Sequence, residues 1–240
     1  MSENSNLVSV LLPVYNSEKT IDKCLNSIVN QTYQNLEILI CDDHSTDATY
    51  TILKKFTESD SRIKLYRNEV NIGLTKTLNF LINKSSGSYI ARHDADDYSK
   101  NNRIQKQFDI CNKKNKDVIV SRAINVANNK NLRSLSYFIP YKFLIFFMNP
   151  FIHGTLFSRK DVIARIGGYD ENFYYAQDYK LFKTLIKHKI KIQKIWEPLY
   201  YLNTIGNISK KYSKEQKYYS DCVRKNKVPS IQLFNELIKE

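Results

Sequence analysis

The chain has little of what staples, anchors or segments a protein. Its four cysteines, Cys24, Cys41, Cys111 and Cys222, form no C-x-x-C pair and no zinc-like spacing with the four histidines. A disulfide framework and a structural zinc site are therefore not indicated, and reduced, partly buried thiols are expected. No low-complexity linker or internal repeat divides the 240 residues, enough for one sizeable domain or one domain with an appendage. The N-terminus lacks the basic segment of a secretory signal, and its apolar run from Leu7 to Leu12 stops at Pro13. The second apolar run, Phe143 to Met148, is far too short to span a bilayer. A soluble or peripheral intracellular protein is expected, cytoplasmic or at the inner face of the cell membrane.

Acidic residues are in deficit: the formal net charge is +13, and it is unevenly placed. Between Lys183 and Lys227 stand 12 Lys or Arg, against only Glu197, Glu215 and Asp221. Such a stretch suits an anionic membrane surface or plain water, with nucleic acid less favoured. The segment Lys210-Lys211-Tyr212-Ser213-Lys214, followed by Lys217-Tyr218-Tyr219, mixes basic and aromatic residues as interfacial segments do.

What is present is a regular alternation. Leu7 to Val14 has buried-strand length, and Ser17 to Asn30 then places Ile21, Cys24, Leu25, Ile28 and Val29 on one helical stripe. Strand Leu36 to Cys41, helix Thr46 to Phe56, strand Ile63 to Tyr66, helix Leu74 to Ile82 and strand Ser88 to Arg92 follow. Strands alternating with helices imply a parallel sheet with right-handed crossovers, and ligands of such sheets bind outside the carboxyl ends of the strands. Three polar clusters fall at those ends: Pro13-Val14-Tyr15-Asn16, Asp42-Asp43-His44-Ser45 and Asp94-Ala95-Asp96-Asp97. Singly, Asn16 or Ser17 and Ser45 or Asp47 are as well explained as helix caps; together the clusters predict one site.

The acidic cluster is the sharpest signal. Three close carboxylates repel, so they are solvated, titrated upward or neutralised by a cation. In an extended segment Asp94 and Asp96 share one face and Asp97 takes the other. Two oxygen ligands on one face suit magnesium or manganese, which are held by one or two carboxylates plus substrate phosphates. An acidic turn that caps the next helix is the plainer reading, and Tyr98, Ser99 and Gln105 exclude a calcium-binding EF-hand.

The second half is less regular. A helix is expected over Arg103 to Cys111, short strands over Asp117 to Val120 and Phe151 to Ser158, the latter containing His153, and a helix over Ala176 to Lys189. On that last helix Asp178 shares the stripe of Leu181, Phe182 and Leu185, so a first-turn carboxylate faces inward. Helix capping is a sufficient reason for it, yet burial would oppose its ionisation and tune it as a base.

The segments Val8 to Asn16, Ile40 to Asp47, Asn71-Ile72-Gly73, Asp94 to Asp97, and Gly167-Gly168-Tyr169-Asp170 with Asp178 occur in the order of family-2 glycosyltransferases. Over residues 7 to about 200 the chain resembles that family, and bacterial surface-polysaccharide enzymes within it. The resemblance implies an α/β GT-A fold, Rossmann-like, whose mostly parallel central sheet is flanked by helices, with a small C-terminal helical extension. It implies residues 1–207 as the transferase domain, 1–98 binding the nucleotide-sugar and 99–207 the acceptor, and 208–240 as the basic extension. The implied activity is inverting transfer from a nucleotide-sugar, usually a UDP-sugar, to a glycan or lipid-linked glycan acceptor. Carried over by position, Pro13, Val14, Tyr15, Asn16, Asp43, Lys76, Asp94, Ala95 and His153 would meet the nucleotide-sugar, with Asp43 accepting from the uracil. Asp94 and Asp96 would hold Mn2+ or Mg2+, and Asp178 would be the catalytic base.

Two departures stand out. Gln177 occupies a position that is commonly Glu, and Thr204 stands where many members have a loop histidine. The rival readings are a nucleotidyltransferase, which usually carries a Gly-rich basic loop after the first strand that Leu12 to Asn16 lacks, and a non-catalytic sugar-nucleotide-binding protein.

Overall fold

The computed structural model describes residues 6–132, 138–204 and 212–230. The first hundred residues fold as the alternation requires. Strands β1 (Val8–Val14), β2 (Leu36–Asp42), β3 (Ile63–Arg67) and β4 (Tyr89–Arg92) are joined by helices α1 (Ile21–Val29), α2 (Thr49–Ser59) and α3 (Leu74–Lys84). All three pairings among these strands are parallel, the arrangement that helical crossovers allow and hairpins do not.

β1 and β2 are buried along their whole length, as strands covered on both faces must be. Their side chains part by the period of two: Val8, Val10, Leu12 and Val14 pack with Ile21, Leu25 and Ile28 of α1, whereas Leu11 packs with Leu78, Leu81 and Ile82 of α3.

A nine-stranded sheet runs β3-β2-β1-β4-β8-β6-β9-β5, with β7 (Lys130–Asn131) on β6. β5 is Tyr98–Ser99, β6 Val118–Asn125, β8 Phe157–Arg159 and β9 Ile192–Leu202. β8 runs antiparallel to β4 and to β6, and β9 returns parallel to β6. The chain winds outward from β1 to β3 and then crosses back to β4 on β1's other side. In sheets of this kind ligands bind at such a reversal, here beyond the carboxyl ends of β1 and β4.

Among the described residues the remaining helices are α4 (Arg103–Lys113), α5 (Tyr141–Leu144), α6 (Lys160–Arg165), α7 (Gln177–Lys187) and α8 (Ser213–Lys225). α8 supplies the expected C-terminal helix, and its Tyr219, Cys222 and Val223 pack with Phe173 and Phe182 in the same core cluster as Leu11. Lys210 and Lys211 lie outside the described residues. No helix among the described residues is long and apolar enough to cross a membrane.

Several boundaries differ from expectation. α1 begins at Ile21, not Ser17, because Ser17 to Thr20 form a turn, the Thr20 and Ile21 amides both donating to Ser17 O. The strand expected over Phe151 to Ser158 is only Phe157–Arg159. His153 lies on a 3-10 turn, His153–Thr155, not on a strand. A Cβ on Gly154 would sit 2.5 Å from the Tyr200 hydroxyl and 2.7 Å from Asp94 Oδ2, so the backbone presses in there instead of running extended. β6 continues to Asn125, past the expected end at Val120, through two register shifts against β9.

Candidate active site

Pro13 lies in a central strand, where the missing N–H ordinarily costs a ladder bond. It is tolerated here because the β1–β4 pairing ends at Leu11↔Arg92, two residues earlier. Val14 is buried and its carbonyl accepts the Asp43 amide at 2.7 Å, whereas Tyr15 is 48% exposed at the rim. Asn16 adopts φ +46°, a conformation Asn tolerates better than most residues. Its amide donates to Ser45 Oγ at 2.9 Å and its Oδ1 accepts the Thr46 amide at 2.9 Å. Asn16 and Ser45 therefore clamp two loops together and cap no helix. Glu18 and Asp47 join the same loops, each accepting a backbone amide of the other's loop, and Asp47 Oδ1 also accepts the Thr49 amide at the start of α2, at 3.0 Å.

Asp43 is buried and nearly saturated. Oδ1 accepts Asn68 Nδ2 at 2.8 Å and the Ile72 amide at 2.9 Å; Oδ2 accepts the Gly73 amide at 2.8 Å. A carboxylate has about four acceptor sites, so Oδ2 retains one. Gly73 holds φ +87°, and the exposed Tyr174 ring lies where its Cβ would be, Cε2 at 2.6 Å. Lys76 is exposed in the first turn of α3, without a side-chain partner among the described residues.

The acidic segment is a turn, not an extended strand: the Asp97 amide donates to Asp94 O at 3.3 Å. The expected two-faced alternation is thereby replaced. Ala95 is buried, Asp94 and Asp96 reach the surface, and Asp97 is turned inward, 2% exposed. Asp97 accepts the Asn203 amide at 2.7 Å and a bond from Tyr200, tying the turn to the end of β9. Burial first, then the Asp94 and Asp96 charges, push its carboxyl up to about 9. Asp96 is exposed by area, but the surrounding protein mass and then Asp94 still push it up to about 6.

One buried cation organises this cleft. Arg92, at the end of β4 and 2% exposed, pairs through Nη1 with Asp94 Oδ2, while its Nε has no hydrogen-bond partner. Burial opposes the guanidinium charge, yet Asp94 outweighs it and raises the pKa. The Arg92 charge acts in turn on His153, Tyr169 and Asp178. His153 Nε2 lies 2.7 Å from the Tyr169 hydroxyl, and burial, then Arg92, drive its pKa well below the usual range.

Asp178 stands in the first turn of α7. Oδ1 accepts the adjacent Tyr179 amide at 2.8 Å and Oδ2 accepts Asn149 Nδ2 at 2.7 Å. The α7 N-cap is Ala176, with φ +53° and no side-chain cap bond, so Asp178 is not the cap. Burial raises the Asp178 pKa, against those two bonds and the Arg92 charge. A carboxylate so tuned can take a proton from a hydroxyl. Ala176 in the left-handed region is strained, as residues beside functional groups often are.

Among the described residues no three His, Cys, Asp or Glu side chains gather as a metal cage. Asp94 Oδ1, which takes no bond among those residues, and the exposed Asp96 carboxylate are hard oxygen donors forming a partial shell. That set fits a cation completing its coordination with water or phosphate. Thr204 spends its hydroxyl on Asn125 Oδ1 at 3.2 Å, and all four cysteines are free and buried.

Sequence reasoning missed Arg92, Asn149, Gly154, Tyr169, Tyr174 and Tyr200. Arg92 carried a local signal, a charge inside an apolar strand next to the acidic turn, and Tyr169 stood in the Gly167 to Asp170 segment. The others reach the cleft only through the packing of β9, α7 and the loops before them.

A profile of the family "Glycosyl transferase family 2" matches residues 9–183. An uncharacterised glycosyltransferase of Haemophilus influenzae is 33% identical over 194 residues, covering 74% of this chain. The chain spans 59% of the length of that relative. The Escherichia coli enzyme WfgD, a UDP-Glc:alpha-D-GlcNAc-diphosphoundecaprenol beta-1,3-glucosyltransferase, is 41% identical over 109 residues, 45% of this chain and 42% of its own. Among solved structures, S. aureus TarS 1-349 in complex with UDP-GlcNAc superposes with a TM-score of 0.75 at 20% identity, over 96% of this chain and 70% of that one. The shared architecture is the GT-A fold, and the chain belongs to glycosyl transferase family 2.

Proposed function

We propose that the protein transfers a sugar, with inversion, from a nucleotide diphosphate sugar, a UDP-sugar by preference, to a glycan or lipid-linked glycan acceptor. The observation that carries this is the meeting, around Arg92 at the sheet's switch point, of the Asp94–Asp96 turn and Asp178. Pro13, Val14, Tyr15, Asn16 and Asp43 line the nucleotide side, with the spare Oδ2 acceptor of Asp43 suited to the uracil N–H. Lys76 supplies a cation at the same rim, and Ala95 and His153 border the sugar and diphosphate. Residues 1–98 form the donor half, 99–207 the acceptor half, and 208–240 a basic extension.

Asp94 and Asp96 would hold Mn2+ or Mg2+, which, when bound, neutralises charge developing on the departing diphosphate. Arg92 holds Asp94 in place through their ion pair. Asp178, oriented by Asn149, takes the proton of the acceptor hydroxyl as it attacks the anomeric carbon, and the nucleoside diphosphate leaves from the opposite face. One such displacement inverts the centre.

TarS with UDP-GlcNAc and the lipid-diphosphate acceptor named for WfgD favour a UDP-sugar donor and a lipid-linked acceptor in surface-polysaccharide assembly. Incubation with UDP-sugars, manganese and a polyprenyl-diphosphate sugar should release UDP. UDP binding without release under every donor and acceptor would instead favour the non-catalytic reading.

A further inference from the structure

The run Phe143 to Met148 takes no part in the site, and its aromatic side chains are exposed among the described residues. Leu144 and Ile145 are buried and hold the segment to the core. Phe143, Phe146 and Phe147, at i, i+3 and i+4, then form the opposite face and stand 59%, 61% and 58% exposed. Phe143 and Phe147 touch, ring centroids 5.2 Å apart, and Phe138, Ile139 and Met148 in the flanking chain are exposed as well. Soluble surfaces rarely expose a contiguous apolar patch of this kind without use.

The rim of this shelf is cationic. Arg224, in the last turn of α8, donates from Nη1 to Phe147 O at 3.2 Å. Asp221 pairs with Arg224 and offsets part of its charge, but the exposed Lys225 and Lys227 follow, and exposed Lys142 stands inside the shelf. Lys183 Nζ fastens α8 by donating to Val223 O at 2.6 Å and Arg224 O at 3.0 Å. Aromatic rings beside lysines match a headgroup boundary, rings entering the acyl edge and ammonium groups meeting phosphates.

We propose that this shelf, with the C-terminal turn of α8, docks the protein onto an anionic bilayer. Asn149 follows the shelf directly and its side-chain Nδ2 donates to Asp178 Oδ2, so the docked face adjoins the proposed base. Docking follows from exposure and charge; only its use for delivering a lipid-linked acceptor rests on the proposed function.

The test is sedimentation of the full chain with phosphatidylglycerol and with phosphatidylcholine vesicles, alongside the variant Phe143→Ser, Phe146→Ser, Phe147→Ser. Wild type should bind phosphatidylglycerol and release in high salt, and the variant should bind roughly tenfold or more weakly. UDP affinity by calorimetry without vesicles should be equal for both proteins. Wild type that stays in the supernatant, or a variant that binds as wild type does, overturns the docking. Light scattering that shows a wild-type dimer dissolved by the triple substitution, with no vesicle binding, overturns it in favour of a second copy. Failure to bind UDP would sink the functional reading and leave the vesicle result standing.

Discussion

Asn149 Nδ2 donates to Asp178 Oδ2 at 2.7 Å, so the loop after the aromatic run orients the Asp178 carboxylate. The bond favours the ionised carboxylate, against the burial that raises its pKa. Replacing Asp178 with Asn should lower turnover by a factor on the order of 100 or more while UDP affinity is kept. Full turnover, measured as UDP release, would remove Asp178 from the mechanism.

A pH profile separates the same assignment from a structural role. Because the folded pKa is raised, the active anion is lost as pH falls through it, giving kcat/KM an acid limb. Asn149→Leu removes a bond that favours the anion, so this limb should move to higher pH. For stability the sign is opposite to that of a paired carboxylate. Between the unfolded and the raised folded pKa the native state holds more protons, so this group's contribution falls as pH rises. Asp178→Asn should therefore be at least as thermostable as wild type at pH 7, by calorimetric melting.

Asp94 and Asp96 should part in their effects. Asp96 is exposed, so Asp96→Ala should leave Tm nearly unchanged and weaken manganese-dependent UDP binding, read by calorimetry with and without chelator. Asp94→Ala strands the buried Arg92 charge and should also cost about 2–4 kcal/mol in urea unfolding. Equal stability of the two variants would contradict the Arg92 pairing.

Gly154→Ala tests the close approach beneath the cleft. Its methyl would lie 2.5 Å from the Tyr200 hydroxyl and 2.7 Å from Asp94 Oδ2, so backbone or partners must move. A loss of about 1–3 kcal/mol is expected, with weaker donor binding, since the displaced Asp94 belongs to the turn. An unchanged melting curve and unchanged UDP affinity would show that the packing there gives freely.

Asp43 should be intolerant of truncation. Its carboxylate satisfies Asn68 and the Ile72 and Gly73 amides. Asp43→Ala removes the acceptor from these buried and part-buried donors, at a cost of roughly 2–4 kcal/mol, and should abolish UDP binding. Retained UDP affinity would place the uracil elsewhere.

The sequence by itself determined the parallel half. Continuous apolar runs of strand length, separated by 3.6-period stripes, have one economical packing, and that packing sends Pro13 to Asn16, Asp43 and the Asp94 turn to one edge because parallel strands share a carboxyl end. The inward aim of Asp178 followed from its register with Leu181, Phe182 and Leu185. Tertiary structure alone decided the rest. That Asp94 to Asp97 turn instead of extending depends on Tyr200 and Asn203, about a hundred residues away. That His153 sits on a 3-10 turn depends on Gly154 fitting under Tyr200. Local periodicity reports which face of an element is apolar; it carries no record of which distant side chain will fill the space opposite, and the second half of this chain is built from such encounters.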